Sequence, residues 1–96
     1  MNDAAADLLQ EIRRLRVRMA GIKPADLEAG GRVRIQEALA SLSALAADAR
    51  PVPDLGDRVL GDQLVVLLTD CLPEYGAEES TTRRALAVAT QLRQEL

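Results

Sequence analysis

The sequence predicts an all-α fold, a small up-and-down bundle of four main helices with a short extra helix at 24–29. Three observations carry this. Apolar residues recur at alternating spacings of four and three along most of the chain, which is the period of one helical face. No segment alternates with a period of two, and the β-branched pair Val65-Val66 sits inside a stronger helical period. The apolar residues are chiefly 16 Leu and 16 Ala, with one Tyr and no Phe or Trp, so the core is aliphatic and small-residue-rich. A chain of 96 residues has room for one domain, spanning 1–96.

The first helix opens at Asp3, a good N-cap, with Asp7 in the following turn. Leu8, Ile12, Leu15, Met19 and Ile22 make its seam, and Gly21 ends its regular part near Ala20. Two heptads are too short for an autonomous coiled coil, so this helix belongs to a bundle. The second helical region starts at Pro24, suited to a first turn, with Asp26 and Glu28 placed where the helix dipole favours acids. Gly30-Gly31 interrupts it, so the chain forms either one kinked helix or a short turn at 24–29 joined to a main helix from Arg32 to Ala49. Ile35, Leu39, Leu42, Ala46 and Ala49 line that main helix, with Leu45 broadening the stripe.

Arg50-Pro51-Val52-Pro53 is a connector, because each proline drives its predecessor out of the helical region. Asp54 is expected to cap a third helix running through Leu72 and stopped by Pro73. Val59, Leu60, Leu64, Val65, Val66, Leu67, Leu68, Cys71 and Leu72 cover more than half its circumference, leaving Arg58, Asp62 and Thr69 as a polar strip. So apolar a helix is either the centre of the bundle or a self-association surface. Glu74-Tyr75-Gly76 forms the last turn, with Gly76 suited to a positive φ. The fourth helix runs from about Glu78 to the end, with Glu79 and Arg83 paired four apart and Ala85, Val88/Ala89, Leu92 and Leu96 as its seam.

Composition narrows the function. With no His there is no imidazole base, no Ser-His or Cys-His pair and no His-ligated metal. A lone Tyr gives no platform for stacking nucleobases. Cys71, the single cysteine, lies beside Asp70 near a helix carboxyl end, where a thiolate is disfavoured, and reads as a core residue. Asp54, Asp57 and Asp62 do not have the spacing of a calcium loop. Gly30-Gly31-Arg32 lacks the strand and the Gly-Lys-Ser/Thr ending of a phosphate loop. No enzyme, cofactor, metal or small-molecule substrate is expected.

Arg13, Arg14, Arg16, Arg18 and Lys23 form a cationic run without an intervening acid. At about 100° per residue these arginines flank the apolar seam on both sides. They can answer the acidic carboxyl-terminal half, an acidic protein partner, or nucleic-acid phosphate. The net charge of −3 argues against a general nucleic-acid binder or a polybasic membrane anchor. The acidic amino terminus does not read as a signal peptide, no apolar run is long enough to span a membrane, and a single cysteine fits a reducing compartment, so the expected location is the cytoplasm. Eleven Arg against one Lys, together with the Ala content, points to a GC-rich, bacterial coding genome.

The leading expectation is a non-catalytic protein-interaction module, an adaptor or regulator, forming a homodimer. Its apolar contacts centre on Leu64, Leu67, Leu68 and Leu92, with Arg13, Arg14, Arg16 and Arg18 steering an acidic partner. The first alternative is a nucleic-acid-associated regulator whose dimer doubles the arginine cluster. A second is a death-fold-like oligomerising signalling domain, which would need six shorter helices.

Overall fold

The computed structural model describes residues 3–45 and 51–96. The described residues fold into an all-α bundle of four main helices, α1 (Asp3–Ala20), α3 (Arg32–Ser43), α4 (Leu60–Thr69) and α5 (Glu79–Glu95), with a single-turn helix α2 (Pro24–Asp26) after the first.

In α1 the predicted seam turns inward: Leu8, Ile12 and Leu15 are buried, and Met19 and Ile22 pack against the core. Asp3 lies within the first turn. At the other end Gly21 and Ile22 donate backbone N–H groups to the carbonyls of Arg18 and Met19 at 3.3 Å, tightening the last turn. Asp26 then caps α2 through its carboxylate, which accepts from the Lys23 N–H at 3.2 Å.

The double glycine makes a kink. The Arg32 N–H bonds back to the Leu27 carbonyl, five residues away, so Leu27–Gly31 is a π-turn that leads directly into α3. Gly30 holds φ at 117°, and a Cβ on Gly31 would sit 2.7 Å from the Asp26 carbonyl oxygen. Both glycines are therefore required by the backbone path. The main helix begins at Arg32, as expected, and buries Ile35, Ala38, Leu39 and Leu42. Ala46 and Ala49, expected on its seam, lie outside the described residues.

The third predicted helix is shorter than expected. The Asp54 carboxylate accepts the Gly56 N–H at 3.1 Å, which is a turn, and Gly56 has φ 94°. Helical structure starts only with a 3-10 turn at Asp57–Val59 and becomes α4 at Leu60. Asp54 thus caps a turn and not a helix. After Thr69, backbone bonds from Cys71 to Leu68 and from Leu72 to Thr69, each 3.0 Å, carry the chain to the 3-10 turn Pro73–Tyr75. Gly76 adopts the left-handed φ of 87° that its place demanded.

Packing order differs from chain order. α1 packs on α4 and α5, and α3 packs on the same two, so α1 and α3 sit diagonally across the bundle. The carboxyl ends of α1 and α5 meet through Arg18 and Leu96, whereas the start of α3 meets the end of α5 through Arg34 and Glu95. Gly61, at the start of α4, lies against Met19, at the end of α1. Two helices, α1 and α5, therefore run up, and two, α3 and α4, run down. The core between them is aliphatic, with Leu8, Leu15, Ile35, Leu64 and Leu68 sealed completely. Thr82 is the fully buried polar exception, its hydroxyl donating to the Cys71 carbonyl at 2.6 Å and tying α5 to the end of α4.

Candidate interaction site

The predicted apolar contact residues are mostly inside. Leu64 and Leu68 are fully buried, Leu92 nearly so, and Leu67 is half-buried against the core. These four side chains hold the bundle together, which corrects the expectation that they form an exposed interface. The helix to which three of them belong has two neighbours, α1 and α3, and its remaining side faces solvent at Asp62, Val66 and Asp70.

The arginine cluster divides between two flanks of α1. On the flank toward α5, Glu11 is only 6% exposed, an unusual place for a carboxylate. Arg93 reaches it with Nε to Oε2 and with Nη2 to Oε1 at 3.1 Å, and Arg14 adds Nη1 to Oε1 at 3.2 Å. The hydrogen bond from Arg93 outweighs burial and, with the nearby positive charges, holds the Glu11 carboxyl below its ordinary value. Arg18 donates to the Leu96 carbonyl on the same side. Two of the four predicted steering arginines, Arg14 and Arg18, thus have partners within the chain.

Arg13 and Arg16 lie on the other flank, both exposed and without an ion pair among the described residues. Leu9, Arg13, Arg16 and Ala20 step four, three and four along one stripe of α1. Across from it, Arg58, Asp62, Val65 and Thr69 repeat the same spacing at the start of α4 and along it. Between the two stripes runs a groove of about 550 Å³. Its apolar lining is Met19, Ala20, Ile22, Gly61 and Val65, with Val66 at the margin, and Arg16, Arg58 and Asp62 stand at its edge.

Gly61 lets the two helices approach closely here, since a Cβ on it would lie 3.4–3.8 Å from the Met19 side chain. Val66 is 58% exposed at its margin, an apolar group in water. Asp57, also at the edge, is not free. Arg32 holds both its carboxylate oxygens, at 2.7 and 2.6 Å, and keeps its carboxyl below the ordinary value.

Compared with protein families, with curated proteins and with solved structures, this chain matches none. What the groove does must follow from its own geometry.

Other chemistry in the molecule is confined. The Cys71 thiol is buried and donates to the Leu67 carbonyl at 3.3 Å, and burial, reinforced by Asp70, pushes its pKa up. Such a thiol stays protonated at neutral pH and packs as a core residue. Among the described residues no three His, Cys, Asp or Glu side chains converge as metal ligands would, and no helix is long and apolar enough to cross a membrane. A second hollow of about 490 Å³ lies between the end of α3 and Pro51–Asp54. Gln63 spans part of it, donating to the Pro53 carbonyl at 3.0 Å.

Sequence reasoning found Arg16 but missed the groove it borders. Its residues are scattered over two helices whose pairing no local pattern announces. The available signal was Gly61, a glycine inside the most apolar helix, where close backbone approach or a missing side chain has to have a reason.

Proposed function

We propose that this protein is a non-catalytic helical interaction module, an adaptor or regulator of the cytoplasm, and that it binds protein partners through the groove between α1 and α4. One observation carries the reading: an apolar trough bordered by cations that have no partner among the described residues. An inserted apolar side chain gains burial over Met19, Val65 and Val66, at about 25 cal/mol per Å² of surface removed from water. Carboxylates beside it are met by Arg16 and Arg58, which set orientation and speed encounter more than they add affinity.

The nucleic-acid alternative has less support. Arg14 and Arg18 are engaged inside the chain, and Asp62 stands among the remaining cations, where it would repel phosphate. The six-helix alternative has less again, since the described residues hold four main helices.

The test is site-specific photo-cross-linking in the native cytoplasm. A photoreactive residue at Val66, in the groove, should capture a protein, and one at Gln94, exposed on α5, should not. No capture at Val66, or equal capture at both positions, overturns the proposal.

A further inference from the structure

The turn that leads one wall of the groove into α4 is lightly held. Residues 53–58 are all exposed, the 3-10 turn Asp57–Val59 has no buried residue, and Gly56 before it holds φ at 94° with open space where a Cβ would be. Its backbone closure is slight. The Val59 N–H reaches the Gly56 carbonyl at 3.4 Å, and the Leu60 N–H bonds to the Asp57 carbonyl. The Gln63 side chain donates to the Pro53 carbonyl at 3.0 Å, but Gln63 belongs to α4 itself. Among the described residues, the hydrogen-bonded tie from this turn to another helix is Arg32 on Asp57.

Arg32 stands where it can brace both walls. It is the first residue of α3, directly after the π-turn, and its own N–H bonds to the carbonyl of buried Leu27. Gly31, buried just before it, lies so close to Ile22 that a Cβ there would be 3.8 Å from the Ile22 Cδ1. Ile22 lines the groove. In the other direction the guanidinium holds the Asp57 carboxylate with two bonds, Nε to Oδ1 at 2.7 Å and Nη2 to Oδ2 at 2.6 Å. Arg58, next in the chain, stands at the groove's edge. Arg32 lines no part of the groove itself, yet the backbone leading into it abuts one wall and its side chain grips the other.

Such a pair holds a shape more than it adds stability. Its two side chains are 36% and 44% exposed, and ion pairs so open to water and salt contribute little to the folding equilibrium. A two-bond fork between guanidinium and carboxylate nevertheless fixes direction as well as distance. A turn with little packing and one directional tie keeps its place only while that tie lasts.

We infer that Arg32 is a positioning residue for binding in the groove: by gripping Asp57 it holds the turn that sets Arg58 at the groove's edge. The inference rests on the groove reading above and adds to it the residue that keeps one end of the site in shape.

Amide hydrogen exchange of the purified protein reads the turn, and the photoreactive residue at Val66 in the native cytoplasm reads the groove. With Arg32→Ala, the Val59 and Leu60 amides should exchange at least about tenfold faster while those of buried Leu64 and Leu68 keep their wild-type rates, as a local opening requires. Capture at Val66 should fall several-fold. Arg32→Lys, which keeps the charge and loses the fork, should lie between wild type and Arg32→Ala in both measurements. In an Asp57→Ala background, Arg32→Ala should change the exchange no further, because the contact it removes is already gone.

Wild-type exchange at Val59 and Leu60 in Arg32→Ala overturns the inference. So does an equal acceleration at Leu64 and Leu68, which would make the pair a strut of the whole bundle, or a further acceleration in the Asp57→Ala background. If the turn loosens and capture at Val66 is undiminished, Arg32 does not position the site and the groove reading stands. If the wild type captures no protein at Val66, the groove reading falls and the inference falls with it.

Discussion

On the flank of α1 that faces α5, Glu11, Arg14 and Arg18 all have partners inside the chain, and the apolar contact beneath them is made by Ala85, Ala89 and Leu92, all buried. On the flank that faces α4, Arg13 and Arg16 have no ion pair among the described residues, and a groove lies where the other flank is closed. The helix is the same on both sides, and so is the kind of residue. Small residues lie at both contacts: the alanines of α5 are buried, and Gly61 of α4 sits close to Met19. A sealed interface stabilises the monomer. An unsealed one keeps apolar surface and charge available for something else.

The largest test of this contrast compares two residues of α4 that differ by two positions. Leu64→Ala empties a fully buried site and should cost about 2–5 kcal/mol. For a domain of this size, with total stability of roughly 5–14 kcal/mol, that loss is severe. Val66→Ala, on the groove side, should change stability by no more than about 0.5 kcal/mol. Urea denaturation of the two variants decides it, and similar losses would mean that α4 has no free face.

A finer test reverses the sign of the effect between flanks. Ala89→Leu adds bulk to the closed α1/α5 contact and should destabilise by about 1–3 kcal/mol. Gly61→Ala puts a methyl group 3.4 Å from the Met19 Cβ, an ordinary contact, and removes a helix-breaking residue, so it should stabilise by up to about 1 kcal/mol. Thermal melts showing both variants shifted in the same direction would erase the distinction.

The smallest effect is electrostatic. Folding holds the Glu11 carboxyl below its unfolded value, so the native state prefers it ionised. Its contribution is present above the unfolded carboxylate range and is lost as pH falls through the lower folded value. The Glu11→Gln variant should therefore be less stable than wild type at neutral pH, and the difference should close below about pH 4.5. Arg13→Glu, on the unsealed flank, should leave the stability curve unchanged across the same range. Melting temperature against pH for the three proteins reads this out.

Much of the fold was legible because it depends on local rules. The spacing of Leu8, Ile12, Leu15 and Met19, the break at Gly30-Gly31, the Glu79–Arg83 pair at 2.7 Å and the positive φ of Gly76 all follow from short stretches of chain. The start of α4 was misread because Asp54 can cap a helix or a turn with the same oxygen, and Gly56 two residues on favours the turn. The site was less legible still. That Leu64, Leu68 and Leu92 point inward depends on which helices cover α4 and α5. That Glu11 is buried depends on Arg93, 82 residues away. No window of sequence contains both members of such a pair, and a groove is by definition a place where contact between distant segments is missing.

The pairing of the first helix with the last also sets a timetable. As the chain is synthesised, α1 emerges before α5 and carries a seam of leucine, isoleucine and methionine, but α5 is its principal neighbour. Until α5 arrives, Leu8, Ile12 and Leu15 lack the cover of Ala85, Ala89 and Leu92, and Glu11 lacks Arg93. Contacts so distant in sequence form late, because the loop between them must be closed before they return any stabilisation. The nascent chain therefore holds an unsatisfied helix until α5 has been made, and cooperative folding waits for it.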